Sequence, residues 1–147
     1  MGLKEKIDED IKSAMKTREE LRLSALRMLK AAIGNAEIAK KKTLVDEDII
    51  SLLQTAVKQR KDSAEQFGAG NRPELAEKEK AEIKILEAYL PAQLGEQEVR
   101  ELVAKAVADT GAAGAKDIGK VMGKLMPLVK GKADGGLVNR LVREILK

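Results

Sequence analysis

One phenylalanine, one tyrosine and no tryptophan are spread over 147 residues, and this shortage of rings constrains the fold more than any motif does. A core without aromatics has to be filled by Leu, Ile, Val and Ala, and such residues at three- and four-residue spacing build it on helices. The apolar share is 44% and the charged share 35%, which is enough core material beneath a heavily charged surface. An all-α protein is expected, and a β-sandwich or barrel is not. The length suits one ordinary domain or two small ones.

The periodicity predicts seven helices. Leu3, Ile7, Ile11, Ala14 and Met15 mark the first. Thr17-Arg-Glu-Glu20 reads as a capping box opening the second, which carries Leu21, Ala25, Met28, Leu29, Ile33 and Ala36 and fades in Lys40-Lys41-Lys42. Asp46-Glu47-Asp48 starts a third with Ile50, Leu53, Val57, Ala64 and Phe67, and Gly68 to Arg72 breaks it. Pro73 suits the first position of a fourth helix, which runs through Leu75, Ile83, Leu86 and Leu90 and stops before Pro91. Past Leu90-Pro-Ala-Gln-Leu-Gly95, Val99, Leu102, Val103, Ala106 and Val107 form a fifth. Ile118, Val121, Met122, Leu125, Met126 and Val129 form a sixth, and Leu137, Val138, Leu141, Val142 and Ile145 a seventh, capped by Asp134. The Pro- and Gly-marked segment suggests two domains, 1–91 with four helices and 92–147 with three.

The missing residues exclude much chemistry. Without cysteine there is no disulfide, thiolate nucleophile or thiolate metal site, and without histidine no Ser-His-Asp triad or imidazole ligand. The acids at Glu19-Glu20, 46–48 and Glu77, Glu79, Glu82 sit where helix N-termini and solvated faces want them, so neither a magnesium site nor general-acid catalysis is read from them. No cofactor and no bound metal are expected. No run approaches a membrane span, and the acid-containing start lacks the features of a signal or transit peptide, so a cytoplasmic protein with no membrane partner is expected.

Charge is concentrated near the end. Residues 116–147 hold 8 basic side chains against 3 acids, a local excess of 5, whereas the whole chain carries +4. Lys116, Lys120 and Lys124 follow one another at i, i+4 and i+8, opposite the apolar face of the sixth helix, with Lys130, Lys132 and Arg140 close in sequence. A polyanion reads a surface of this kind. Gly119 and Gly123 interrupt the same helix at about 1 kcal/mol each, and Pro127 predicts a kink or register change. The glycines suit either a crossing with another backbone or the approach of a phosphodiester backbone. Gly131-Lys-Ala-Asp-Gly-Gly136 reads as a capped inter-helix turn and not a nucleotide loop, because no strand precedes it and Asp134 occupies the phosphate position. Lys58, Arg60, Lys61, Asn71 and Arg72 form a second polar concentration. Two aromatics on apolar lines or helix ends give no platform for unpaired bases, so a folded RNA is the expected nucleic acid, and DNA is not.

The run from Lys116 to Asn139, with Leu90-Pro-Ala-Gln-Leu upstream and Lys58-Gln-Arg-Lys-Asp-Ser63 further back, resembles the YqeY family of small bacterial and organellar proteins over essentially the whole chain. Its most specific part is Gly119, Val121, Met122, Gly131, Ala133 and Asp134, followed by Val138 and Asn139. This part is similar to the tail of the B subunit of glutamine-dependent aspartyl/glutamyl-tRNA amidotransferases. One departure is Gly95, where a serine cap is usual. The resemblance implies four helices followed by three, and a tail that holds the body of tRNA while catalysis lies elsewhere. A non-catalytic module binding tRNA or another structured RNA is therefore expected. The alternatives are an adaptor docking an amidotransferase or aminoacyl-tRNA synthetase, or an accessory enzyme of amide transfer.

Overall fold

A computed structural model describes residues 2–147. The chain divides into two compact units, Met1–Leu90 and Pro91–Lys147. Among the described residues there are seven α-helices, one 3-10 turn and no strand. None of these helices is long and apolar enough to cross a membrane.

The first unit contains α1 (Leu3–Thr17), α2 (Glu20–Lys40), α3 (Asp46–Ala69) and α4 (Pro73–Glu87). Its core joins Ile7, Leu26, Leu29, Ile33, Ile49 and Leu53 with Ile83 and Leu86. Pro73 opens α4, where its missing N–H costs nothing. The acids expected to open α3 stand in its first turn, where Asp48 accepts the Val45 N–H at 3.2 Å; Asp46 reaches instead to the start of α1 and accepts the Leu3 N–H at 3.1 Å.

In the first unit the expected cap, two apolar positions and the end of the fourth helix fail for geometric reasons, and in the second unit Met126 and Ile145, expected on apolar lines, are exposed. Thr17 does not cap α2. It closes α1, its hydroxyl bonds back to the Ser13 carbonyl and to Glu19, and Arg18 turns the chain at φ 58°. A residue still wound into one helix cannot adopt the extended backbone that caps the next. Met15 and Met28 are expected on apolar lines but are 52% and 57% exposed. Each four-residue step advances about 40° around a helix, so Met15 lies about 120° from Leu3, while Met28 falls about 115° from the centre of the buried face of α2. Leu26, between the expected positions, is fully buried instead. Finally, α4 ends at Glu87, and the Tyr89 and Leu90 amides bond three residues back, tightening the chain before Pro91.

Tyr89 is buried, and its hydroxyl donates to Asp10 at 2.5 Å, tying the end of this unit to α1. Burial first, then the bond to the Asp10 carboxylate, push the phenol well above its usual value near 10. Below about pH 10 the phenol is protonated in folded and unfolded chains alike, so its contribution to stability is intact there. Above it the unfolded chain ionises first, and stability falls as pH rises. The chain's single tyrosine should therefore show phenolate absorbance at a clearly higher pH when folded than in concentrated urea. Coincident titrations would contradict the buried pair.

The second unit packs α5 (Glu96–Thr110), α6 (Ile118–Val129) and α7 (Gly135–Ile145) around Val99, Val103, Val121, Leu125, Val138 and Leu141, all 0% exposed. The 3-10 turn Ala115–Asp117 leads into α6. Gly95 has no side chain to cap α5, and Glu98 accepts the Gly95 N–H in its place at 3.3 Å. The preceding strap is tied to the α6–α7 turn: Leu94 N–H donates to the Lys132 carbonyl at 2.8 Å and the Gln93 amide to the Gly131 carbonyl at 2.9 Å. Gly131 is buried at φ 77°, a left-handed conformation that favours glycine.

Candidate RNA-binding surface

The lysine surface of the second unit arises from the burial pattern of α6. Val121, Leu125 and Val129 enter the core; at 100° per residue this turns Lys120 and Lys124 to the far side. Both are exposed, as is Lys116, which stands in the 3-10 turn and not, as expected, on α6 itself. Lys130 and Lys132 flank Gly131, exposed on the turn that Leu94 and Gln93 hold. Lys120 makes only a long contact of 3.9 Å to Asp117 with 71% of its side chain exposed. Lys116, Lys124 and Lys132 have no ion-pair partner among the described residues.

Gly119 and Gly123 lie on this solvent face. A Cβ built on either meets nothing within 4 Å. Internal packing therefore does not require glycine at these positions, and the crossing with another backbone expected from the sequence is absent among the described residues. Pro127 stands inside α6, yet the helix continues to Val129, because the missing hydrogen bond falls in the last turn. It leaves the Gly123 carbonyl without its helical donor on the exposed side.

Arg140 belongs elsewhere. Its guanidinium donates to Glu96 at 3.0 Å, the same oxygen that takes Arg100 at 3.2 Å, and Arg100 also reaches Glu144 at 3.3 Å. The network joins α5 to α7 and offsets the charge of Arg140, so it is not a free member of the lysine surface. Sequence spacing along α7 carries no sign of a partner 44 residues away. The remaining motif residues divide by role. Val121, Ala133 and Val138 are buried, Met122 is half-buried, Asp134 caps α7 by accepting the Leu137 N–H at 3.2 Å, and Asn139 accepts from Arg143 at 2.7 Å. Gly119 stays exposed.

The second polar concentration comes apart in the same way. Lys58 and Lys61 are exposed on α3, Asn71 turns the chain at φ 60°, and Arg72 pairs with Glu74 at 3.5 Å. Arg60 is only 13% exposed and bonds Glu82, itself 5% exposed, with Glu79 at 3.5 Å. It is a structural ion pair between α3 and α4, not a surface contact for phosphate. The only sequence signal for it is the carboxylate of Glu82, which reads along the chain as a solvated acid.

Among the described residues no group of three or more acids is placed to hold a metal ion. Tyr89 is buried and Phe67 half-buried, so no series of exposed rings stands among the described residues.

The chain matches the family model described as "Yqey-like protein" over residues 4–146. One relative, "Altered inheritance of mitochondria protein 41, mitochondrial" of Pyrenophora tritici-repentis, is 32% identical over 145 residues, covering 96% of this chain and 79% of the relative. Proteins of the same name from Candida glabrata and Saccharomyces cerevisiae (strain YJM789) are 40% and 37% identical, over 57% and 55% of this chain. The matched parts are 47% and 44% of those two relatives, less than half of their length. The names state no enzymatic activity, and these relatives are fungal. They also overturn the expectation of a cytoplasmic protein: they are mitochondrial by name and point to that compartment. The cytoplasmic expectation rested on the acids near the start of the sequence, and the pattern of a folded helical domain does not itself encode a compartment.

Proposed function

The chain belongs to the Yqey-like protein family, and from that premise we propose that its second unit is a non-catalytic module that binds structured RNA, with tRNA the first candidate. The observation that carries this reading is the solvent face of α6, where Lys124, with no ion-pair partner among the described residues, and Lys120, with only a long contact to Asp117, stand beside two glycines that the fold does not need. Exposed lysines at helical spacing supply point charges for phosphates, and a surface without Cβ atoms lets a sugar-phosphate backbone approach the helix. Resemblance to the amidotransferase tail supports tRNA in particular.

The glycines allow a test in which folding and binding move in opposite directions. Gly119→Ala and Gly123→Ala add a methyl group that meets no neighbour, so each should stabilise the second unit, by up to about 1 kcal/mol. Each should also weaken tRNA binding several-fold, measured by fluorescence anisotropy on the intact protein. Higher thermal stability with unchanged affinity would show that RNA does not approach this face.

A further inference from the structure

The first unit carries a groove that RNA binding does not use. α2 and α3 run antiparallel, and between them lie two open pockets of about 290 and 390 Å³. Both are lined by Ala32, Leu52, Ala56 and Gln59, so they form one trough. From Met28 to Lys40 its α2 wall measures about 18 Å at 1.5 Å per residue, or roughly three turns of helix. The alanines, with Ala25 at one end and Ala36 at the other, let a further helix come close to the floor.

The two ends differ in charge. At one, Arg60 is shared between Glu79 and Glu82, two carboxylates for one guanidinium, and Glu79 keeps 21% exposure. At the other, Asp48 is already engaged by Lys42 at 3.8 Å, and Lys40 has no ion-pair partner among the described residues. The trough therefore runs from a surplus carboxylate to a surplus ammonium.

We propose that this groove docks an amphipathic helix of a partner protein, about three turns long, with a small apolar face on the alanine floor. Its N-terminal end lies at Glu79 and its C-terminal end at Lys40. That orientation sets the positive end of the helix dipole against the surplus carboxylate and the negative end against the surplus ammonium.

The test uses the intact protein and two hydrocarbon-stapled peptides of equal helicity and identical Ala/Leu faces. One has lysines in its first turn and glutamates in its last, and the other has these reversed. The first should bind about tenfold more tightly by anisotropy and shift the methyl resonances of Ala32, Leu52 and Ala56. Glu79→Gln should narrow the difference between the peptides, and Ala32→Lys should remove binding while the protein stays folded by circular dichroism. Equal affinities, methyl groups unmoved at saturating peptide, or binding that survives Ala32→Lys would overturn the proposal. So would tRNA shifting the same methyl groups, because the groove would then belong to nucleic acid.

Discussion

Glu82→Ala is expected to cost the first unit about 1.5–3 kcal/mol, the worth of a hydrogen bond to a charged group, because Arg60 is left with Glu79 alone, at 3.5 Å. Glu82 is the only charged residue in the buried class among the described residues, and its carboxylate is what keeps Arg60 satisfied at 13% exposure. Removing both charges has a different consequence. The double change Arg60→Leu with Glu82→Leu should recover most of the loss, since hydrophobic side chains of similar size replace a buried pair at little net cost. Urea denaturation of the two variants separates the outcomes. A loss under about 1 kcal/mol for Glu82→Ala would mean that water reaches the pair.

Exchanging Lys120 and Lys124 together for glutamine should lower tRNA affinity about 10- to 50-fold at 0.1 M salt and flatten the dependence on salt by roughly two units, one for each phosphate that is no longer neutralised. Stability should move little, because both ammonium groups are exposed and neither joins the core. Lys12→Gln with Lys16→Gln removes the same charge from exposed positions on α1 and serves as the control. Equal losses from both pairs would indicate attraction to net charge alone, with no defined surface.

The helices are legible in the sequence because each buries one stripe, and stripes are what periodicity records. Asp134 as a cap and Pro73 as an opening residue are legible for the same local reason: their partners lie within a turn. Ion pairs between distant residues are not. Nothing in the spacing of segment 58–63 shows that Arg60 turns inward to Glu82, and nothing near Arg140 shows Glu96. Both fall in with their basic neighbours when charge runs are read along the chain, whereas ion pairs form across it. The lysines of α6 are legible as a face, since the core side of that helix fixes the opposite side. That Gly119 and Gly123 border open space needs the structure, because a glycine at a crossing and a glycine on a bare surface look the same in sequence.

The most direct measurement is the affinity of the unaltered protein for tRNA across a salt series. Four lysines stand on the proposed surface either without an ion pair or with a long one: Lys116, Lys120, Lys124 and Lys132. Counterion release from four phosphate contacts sets a slope of about −3 to −4 in a plot of log association constant against log salt. That slope, reduced by roughly two in the Lys120/Lys124 variant, is the expected result. A slope near zero, or no binding at about 50 mM salt, where such contacts are strong, would contradict the assignment of this surface to RNA.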